Sequence, residues 1–285
     1  MTVAAPIVKK PPWLKTRLPQ AGEMREISRL LSACRLYTIC QEARCPNMAE
    51  CFQSGTATFL ILGDCCTRNC GYCNVRYGNP ETVDTGEPER LVSAVGHLGL
   101  SYVVMTSVSR DDLSDGGASQ FAHCIRRIGE AYPACTVEVL IPDFQGSFSA
   151  LQTVMEAAPA VINHNMEVCE SLFSTLRPAG NYRRSLELLQ CVREHTQDII
   201  TKSGFMVGLG ENKDQIIRLM EELRATGCQR LTIGQYLQPT RNHWPVRKYY
   251  HPDEFADFRQ IALDMKFESV MAGPLVRSSY HAAGM

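Results

Sequence analysis

Apolar residues along this chain change their period in a regular way. Short, almost unbroken apolar runs stand at 56–63 (TATFLILG), 101–108 (SYVVMTSV), 135–142 (CTVEVLIP), 160–165 (AVINHN), 203–210 (SGFMVGLG) and 230–237 (RLTIGQYL). They are rich in Val, Ile, Leu and aromatics, as parallel strands covered on both faces are. Between them, apolar residues recur at helical spacing over 88–98, 117–131, 147–158, 181–195 and 212–226, and again over 252–266. Pro88 and Asn181 stand at helix starts, and Gly227 offers a residue for a helix end. This alternation predicts an α/β fold with a parallel sheet and right-handed crossovers. Six units are too few for a closed eight-stranded barrel. The expected architecture is therefore a partial (β/α)6 barrel of parallel strands over 56–240, with an N-terminal extension (1–55) and a C-terminal extension (241–285). Residues 1–20 carry four prolines and read as an extended arm, and 22–33 have helical spacing.

Charge changes this picture little. Lys and Arg total 29 against 30 Asp and Glu, a net charge of -1. No global field favours nucleic acid or an anionic membrane, so neither is expected as a partner. No apolar run reaches the roughly 18 residues of a membrane span. No secretory signal pattern opens the chain, and a cytoplasmic, monomeric protein is expected.

Cysteine changes the picture more. There are 13, an odd number, in a setting where disulfides are not expected. Cys124, Cys135, Cys169, Cys191 and Cys228 stand singly and read as small buried hydrophobes. Eight others crowd between Cys34 and Cys73. Cys66, Cys70 and Cys73 form CxxxCxxC within GDCCTRNCGYCN (63–74). That spacing also fits one face of a helix, but Gly63, Asp64, Asn69, Gly71 and Asn74 argue against a helix here. A loop leaving a strand at its C-terminal end is where parallel β-α folds build active sites. Three thiolates can hold three irons of a [4Fe-4S] cluster and leave the fourth iron open. A structural zinc site usually takes four protein ligands, so zinc is the weaker reading. Cys65 is out of register and reads as a bystander.

Cys40, Cys45 and Cys51 form a second set, CxxxxCxxxxxC, and Pro46 inside it opposes a continuous helix. They suit a second three-ligand cluster. The strand followed by CxxxCxxC at the start of a β-α barrel resembles the radical S-adenosylmethionine (SAM) superfamily. The two sets, 14 residues apart, together resemble the lipoyl synthases. So do KPPWLKTRLP (10–19), TSVSRDDLSDGGA (106–118), INHNMEVC (162–169), LRPAGNYRRSL (176–186), TIGQYLQPTRNHWPV (232–246) and MAGPLVRSSYHA (271–282). The resemblance covers roughly residues 10–283.

The resemblance implies a radical SAM sulfurtransferase that inserts sulfur at C6 and C8 of a protein-bound octanoyl-lysine group. Those carbons carry unactivated C–H bonds that no side-chain base can deprotonate, so a radical is needed. Its cofactors would be two [4Fe-4S] clusters and SAM. The cluster on Cys66, Cys70 and Cys73 would generate the radical. The auxiliary cluster on Cys40, Cys45 and Cys51 would donate sulfur, with Ser279 of the RSSY motif, or its neighbour Ser278, as fourth ligand. Tyr72 would lie near the adenine. Ser107 and the Asp115-Gly116-Gly117 turn would meet the amino group, Asn165 and Glu167 the ribose, and Met206 and Gly208 the adenine pocket. Each polar residue also reads as an ordinary cap or turn. Implied partners are an octanoylated lipoyl carrier domain or the glycine cleavage H protein, a ferredoxin or flavodoxin reductant, and iron–sulfur assembly proteins. A biotin synthase-like enzyme or methylthiotransferase is disfavoured by the first cysteine set and the RSSY motif. A small iron–sulfur electron carrier is disfavoured by the length and the barrel pattern. Arg110, Asp111 and Asp112 read as an ion-paired loop, and His164 and His243 as structural.

Overall fold

A computed structural model describes residues 9–15, 29, 31–42, 47 and 57–285. The described strands are β1 (Tyr37–Thr38), β2 (Ala57–Ile61), β3 (Cys65–Cys66), β4 (Arg76–Tyr77), β5 (Tyr102–Ser107), β6 (Thr136–Leu140), β7 (Val161–Asn163), β8 (Ile200–Val207), β9 (Arg230–Gln235) and β10 (Ser269–Gly273). One sheet has the order β1-β2-β5-β6-β7-β8-β9-β10, and β3 and β4 pair separately. Every pairing from β2 to β10 is parallel, and β1 alone runs antiparallel, against β2. The sheet is an open, partial barrel, as the β-α rhythm predicts.

All six expected strands form, and most are shorter at their ends. β8 differs most, beginning at Ile200 instead of 203 and stopping before Gly208. Its extra residues include Lys202, fully buried against Glu138. A lysine inside a buried strand is tolerated here because its charge has a partner. A seventh parallel strand, β10, adds to the edge of β9 within the stretch read as a C-terminal extension. Its five residues, SVMAG, are too few and too mixed to signal a strand.

The helices follow the expected spacing. Asn181 accepts from Arg184 N–H at the start of Tyr182–His195. Gly227 takes φ +83 just past Lys213–Ala225. A short helix, Glu170–Leu176, follows β7 without having been expected. Of the proline-rich arm, Pro12–Leu14 form a single 3-10 turn with Leu14 buried. Residues 31–33 are helical, and much of the expected arm and of helix 22–33 lies outside the described residues. Among the described residues no helix is long and apolar enough to cross a membrane.

Alternation along the strands divides two environments. Phe59, Ile61, Val103, Met105, Val139, Ile162, Leu231 and Ile233 pack in the cores between sheet and helices, and Phe205 does so while also reaching the cavity. Their neighbours Leu60, Val104, Thr106, Leu140, Asn163, Met206 and Thr232 face a central cavity. The period-two pleat thus makes core and site from the same strands.

Candidate active site

The cavity has a volume of about 490 Å³, within the usual range for a small-molecule site. Its wall includes Cys66, Cys70 and Cys73, and also Cys40, Ser278 and Ser279. Cys45 and Cys51 lie outside the described residues. Gly234 explains how the C-terminal segment comes so close: a Cβ there would stand 2.2 Å from Val276 O. Only a residue without a side chain lets the chain carrying Ser278 and Ser279 reach the cavity wall.

The CxxxCxxC loop begins where β2 ends. The Leu62 N–H donates to the buried Glu87 carboxylate at 3.0 Å. Cys65–Cys66 then pair in parallel with Arg76–Tyr77, and Gly78 N–H donates to Cys66 O at 3.0 Å. The loop is closed at its base by its own small ladder. Cys65 is buried and does not line the cavity.

The three site thiols have different surroundings. Cys66 Sγ faces Ser109 N–H at 3.3 Å and Arg68 N–H at 3.4 Å. Such donors suit the sulfur of a cluster ligand. Burial pushes the Cys70 thiol up, and the nearby Arg177 guanidinium opposes that shift. Burial also pushes Cys73 up to about 12, against a hydrogen bond from the Val75 backbone. Both are protonated thiols at neutral pH in the metal-free chain. A metal held through these two sulfurs would displace their protons.

Among the described residues no three His, Cys, Asp or Glu side chains are gathered to hold one metal ion. A cluster asks for something else, because each thiolate meets a different iron. Polar atoms opposite the loop give the independent test. Ser107 Oγ, both side-chain atoms of Asn163, and Asn165 Oδ1 are buried without a hydrogen-bond partner, and all three residues line the cavity. Buried polar atoms are normally paired, so this group marks a place for a polar ligand. Asn165 Nδ2 donates to Glu167 Oε1 at 3.0 Å. Burial raises the Glu167 carboxyl, opposed by Arg177. Three thiols, orphaned polar atoms and a deep cavity fit a cluster with a polar organic cofactor.

Tyr72, Ser107, Asn165, Glu167 and Met206 all line this cavity. Gly208 does not; its N–H donates to Glu211, and Gln235 and Lys248 crowd it. Asp115 also lies elsewhere, capping Gly117 and Ser119 N–H. Arg110 is buried and forks onto Asp112. His164 is buried between Ile141 O and Ser185 Oγ, and burial lowers it to about 4. Cys135 and Cys191 are only partly buried, unlike Cys124, Cys169 and Cys228.

Two arginines at this site carry no local signal. Arg68, between Cys66 and Cys70, is buried; it reaches Asp111 Oδ2 and Oδ1 at 2.7 Å and Asp143 Oδ1 at 2.6 Å. It ties the loop to the turns after β5 and β6. Arg177 donates to Asn165 O at 3.0 Å and Met166 O at 3.2 Å, and lines the cavity. Their partners are distant in sequence, so spacing could not reveal them.

The radical SAM superfamily profile matches residues 60–223. A lipoyl synthase of Caldicellulosiruptor bescii is 51% identical over 275 residues, covering 96% of this chain and 94% of that one. The lipoyl synthase of Rubrobacter xylanophilus is 51% identical over 273 residues, covering 96% and 85%. Among solved structures, methylornithine synthase superposes with a TM-score of 0.55 at 12% identity, covering 93% of this chain and 83% of that one. That last likeness concerns the fold alone.

Proposed function

The chain belongs to the lipoyl synthase family of the radical SAM superfamily, and from that premise we propose how its residues divide the work. It is a radical SAM sulfurtransferase acting on lipoyl carrier substrates. A [4Fe-4S] cluster and SAM follow from the family. Cys66, Cys70 and Cys73 are assigned to that cluster, which when bound supplies the electron that cleaves SAM. Ser107, Asn163 and Asn165 offer the cofactor their unpaired atoms, with Glu167 and Arg177 as nearby charges and Tyr72 and Met206 as further wall. Leu60, Val104, Val108, Ile141 and Leu237 supply the apolar wall that an unbranched octanoyl chain needs. Keeping water from that chain protects a radical from side reactions.

Cys40, Cys45 and Cys51, with Ser279 or Ser278, are assigned to a second [4Fe-4S] cluster that gives up the sulfur. The observation that carries this is one cavity meeting Cys40, the three loop thiols and both serines. A serine oxygen is a harder ligand than thiolate and less suited to iron–sulfur sites. We place the protein in the cytoplasm as a monomer. Its substrate is an octanoylated lipoyl domain or H protein, a ferredoxin or flavodoxin delivers electrons, and assembly proteins rebuild the clusters.

The deciding experiment is an anaerobic assay on an octanoyl-lysine peptide. The expected result is a mass gain of two sulfurs, lost in Cys45→Ala and slowed in Ser279→Cys. About eight irons per chain should accompany it. A single zinc, or sulfur insertion by Cys45→Ala, would overturn the reading.

A further inference from the structure

We propose that His243 is a positioning residue of the radical-cluster loop, acting through the Cys73 backbone. The proposal rests on the assignment of Cys66, Cys70 and Cys73 as cluster ligands. His243 Nε2 lies 2.9 Å from Cys73 O, across 170 residues of sequence. A carbonyl oxygen only accepts, so Nε2 carries the ring proton. Nδ1 stands 2.8 Å from Thr240 Oγ1, and in the neutral ring it accepts from that hydroxyl. A neutral imidazole is satisfied at both nitrogens and cannot turn away without losing both bonds. The backbone bearing it is fixed as well: Gln238 Nε2 donates to His243 O at 2.8 Å.

Trp244 adds a second point of attachment. Its main-chain N–H donates to Gly71 O at 2.9 Å, while its indole N–H donates to Leu209 O at 2.8 Å. Gly71 N–H in turn donates to Leu176 O at 2.9 Å. A Cβ on Gly71 would stand 3.3 Å from Leu176 Cδ2, so this close approach suits glycine.

The two halves of the loop are thus held by different means. Cys66 has the ladder at its base and the Arg68 ion pairs. Gly71 and Cys73 have their carbonyls held by the segment carrying His243 and Trp244. Outer groups that orient metal ligands govern retention, and solvent access at a cluster governs its potential. Without the imidazole, the Cys73 carbonyl loses its donor and the loop's outer edge opens to water. His243 therefore sets how firmly the third thiolate is presented and how dry that edge remains.

The test uses the full chain, reconstituted anaerobically, as parent, His243→Ala, His243→Gln and Thr240→Val. Chelator-driven iron release is followed. So is the midpoint potential of the reduced-cluster EPR signal that changes when SAM is added. Far-UV circular dichroism checks that the variants fold. His243→Ala should release iron from that cluster roughly tenfold faster and shift its midpoint. His243→Gln keeps an N–H that reaches the carbonyl and should recover most of both. Thr240→Val should move both readouts less, in the same direction. Parental release and midpoint in His243→Ala, or a Gln variant no better than Ala, would overturn the brace. A parent with no SAM-responsive signal would overturn the ligand assignment, and the proposal with it.

Discussion

The two ends of the barrel interior treat polar groups in opposite ways. At the N-terminal end, Lys202 Nζ donates to Glu138 Oε1 at 2.9 Å, with both side chains fully buried. Tyr102 OH donates to Glu138 Oε2 at 2.7 Å. The charges are paired, and the network is a wall. At the other end, Ser107, Asn163 and Asn165 present buried atoms with no partner. The changeover is abrupt, since Asn163 pairs in register with Lys202 itself. Polarity alone does not mark a site inside a barrel. Several unpaired buried atoms gathered on one cavity do, because buried polar atoms normally have partners.

Breaking each end should therefore fail differently. The largest effect is expected from Cys70→Ala at the open end. It should abolish deoxyadenosine release, measured by chromatography, while the iron-free protein keeps its unfolding midpoint. At the paired end, Lys202→Met leaves the buried Glu138 charge with only the Tyr102 hydroxyl and should destabilise the fold by about 3–5 kcal/mol in denaturant titrations. Changing both partners to apolar residues, Lys202→Met with Glu138→Leu, should restore most of that. If the single change is silent, the wall reading fails.

His164 sits where the two regimes meet and sharpens the comparison through pH. Burial lowers it to about 4 from 6.5, so the folded chain holds it neutral while the unfolded chain takes up a proton. Its contribution is full above pH 6.5 and is lost as pH falls towards 4. That loss should be on the order of 3 kcal/mol, and a stability-versus-pH curve of His164→Gln should lack it. The smallest stability effect belongs to Asn163→Ala. Removing atoms that have no partner should change stability by less than about 1 kcal/mol, yet weaken SAM binding roughly tenfold by calorimetry. A large stability loss there would mean that Asn163 already has a structural job.

Much of the fold was legible in the chain. The six apolar runs became strands because their residues must be covered on both faces, and that demand is local. The spacing of Cys66, Cys70 and Cys73 was legible for the same reason: the three share one short loop, and that loop stands at the cavity wall. What escaped were pairings between distant segments. Nothing in the sequence pairs Arg68 with Asp143, Lys202 with Glu138 or His243 with Cys73 until the barrel brings them together. Lys202 even displaced the expected start of β8, because a charge in a buried run resembles an end. β10 escaped because its edge position asks little of its own composition.

The reach of the His243 contact also sets an order of events during synthesis. Cys73 emerges from the ribosome 170 residues before the histidine that holds its carbonyl. At about 5–20 residues per second, that is roughly 10–30 s of translation. Throughout that interval the nascent loop has its cysteines but not its outer support. The contacts of His243 and Trp244 with this loop can form only after translation has passed residue 244.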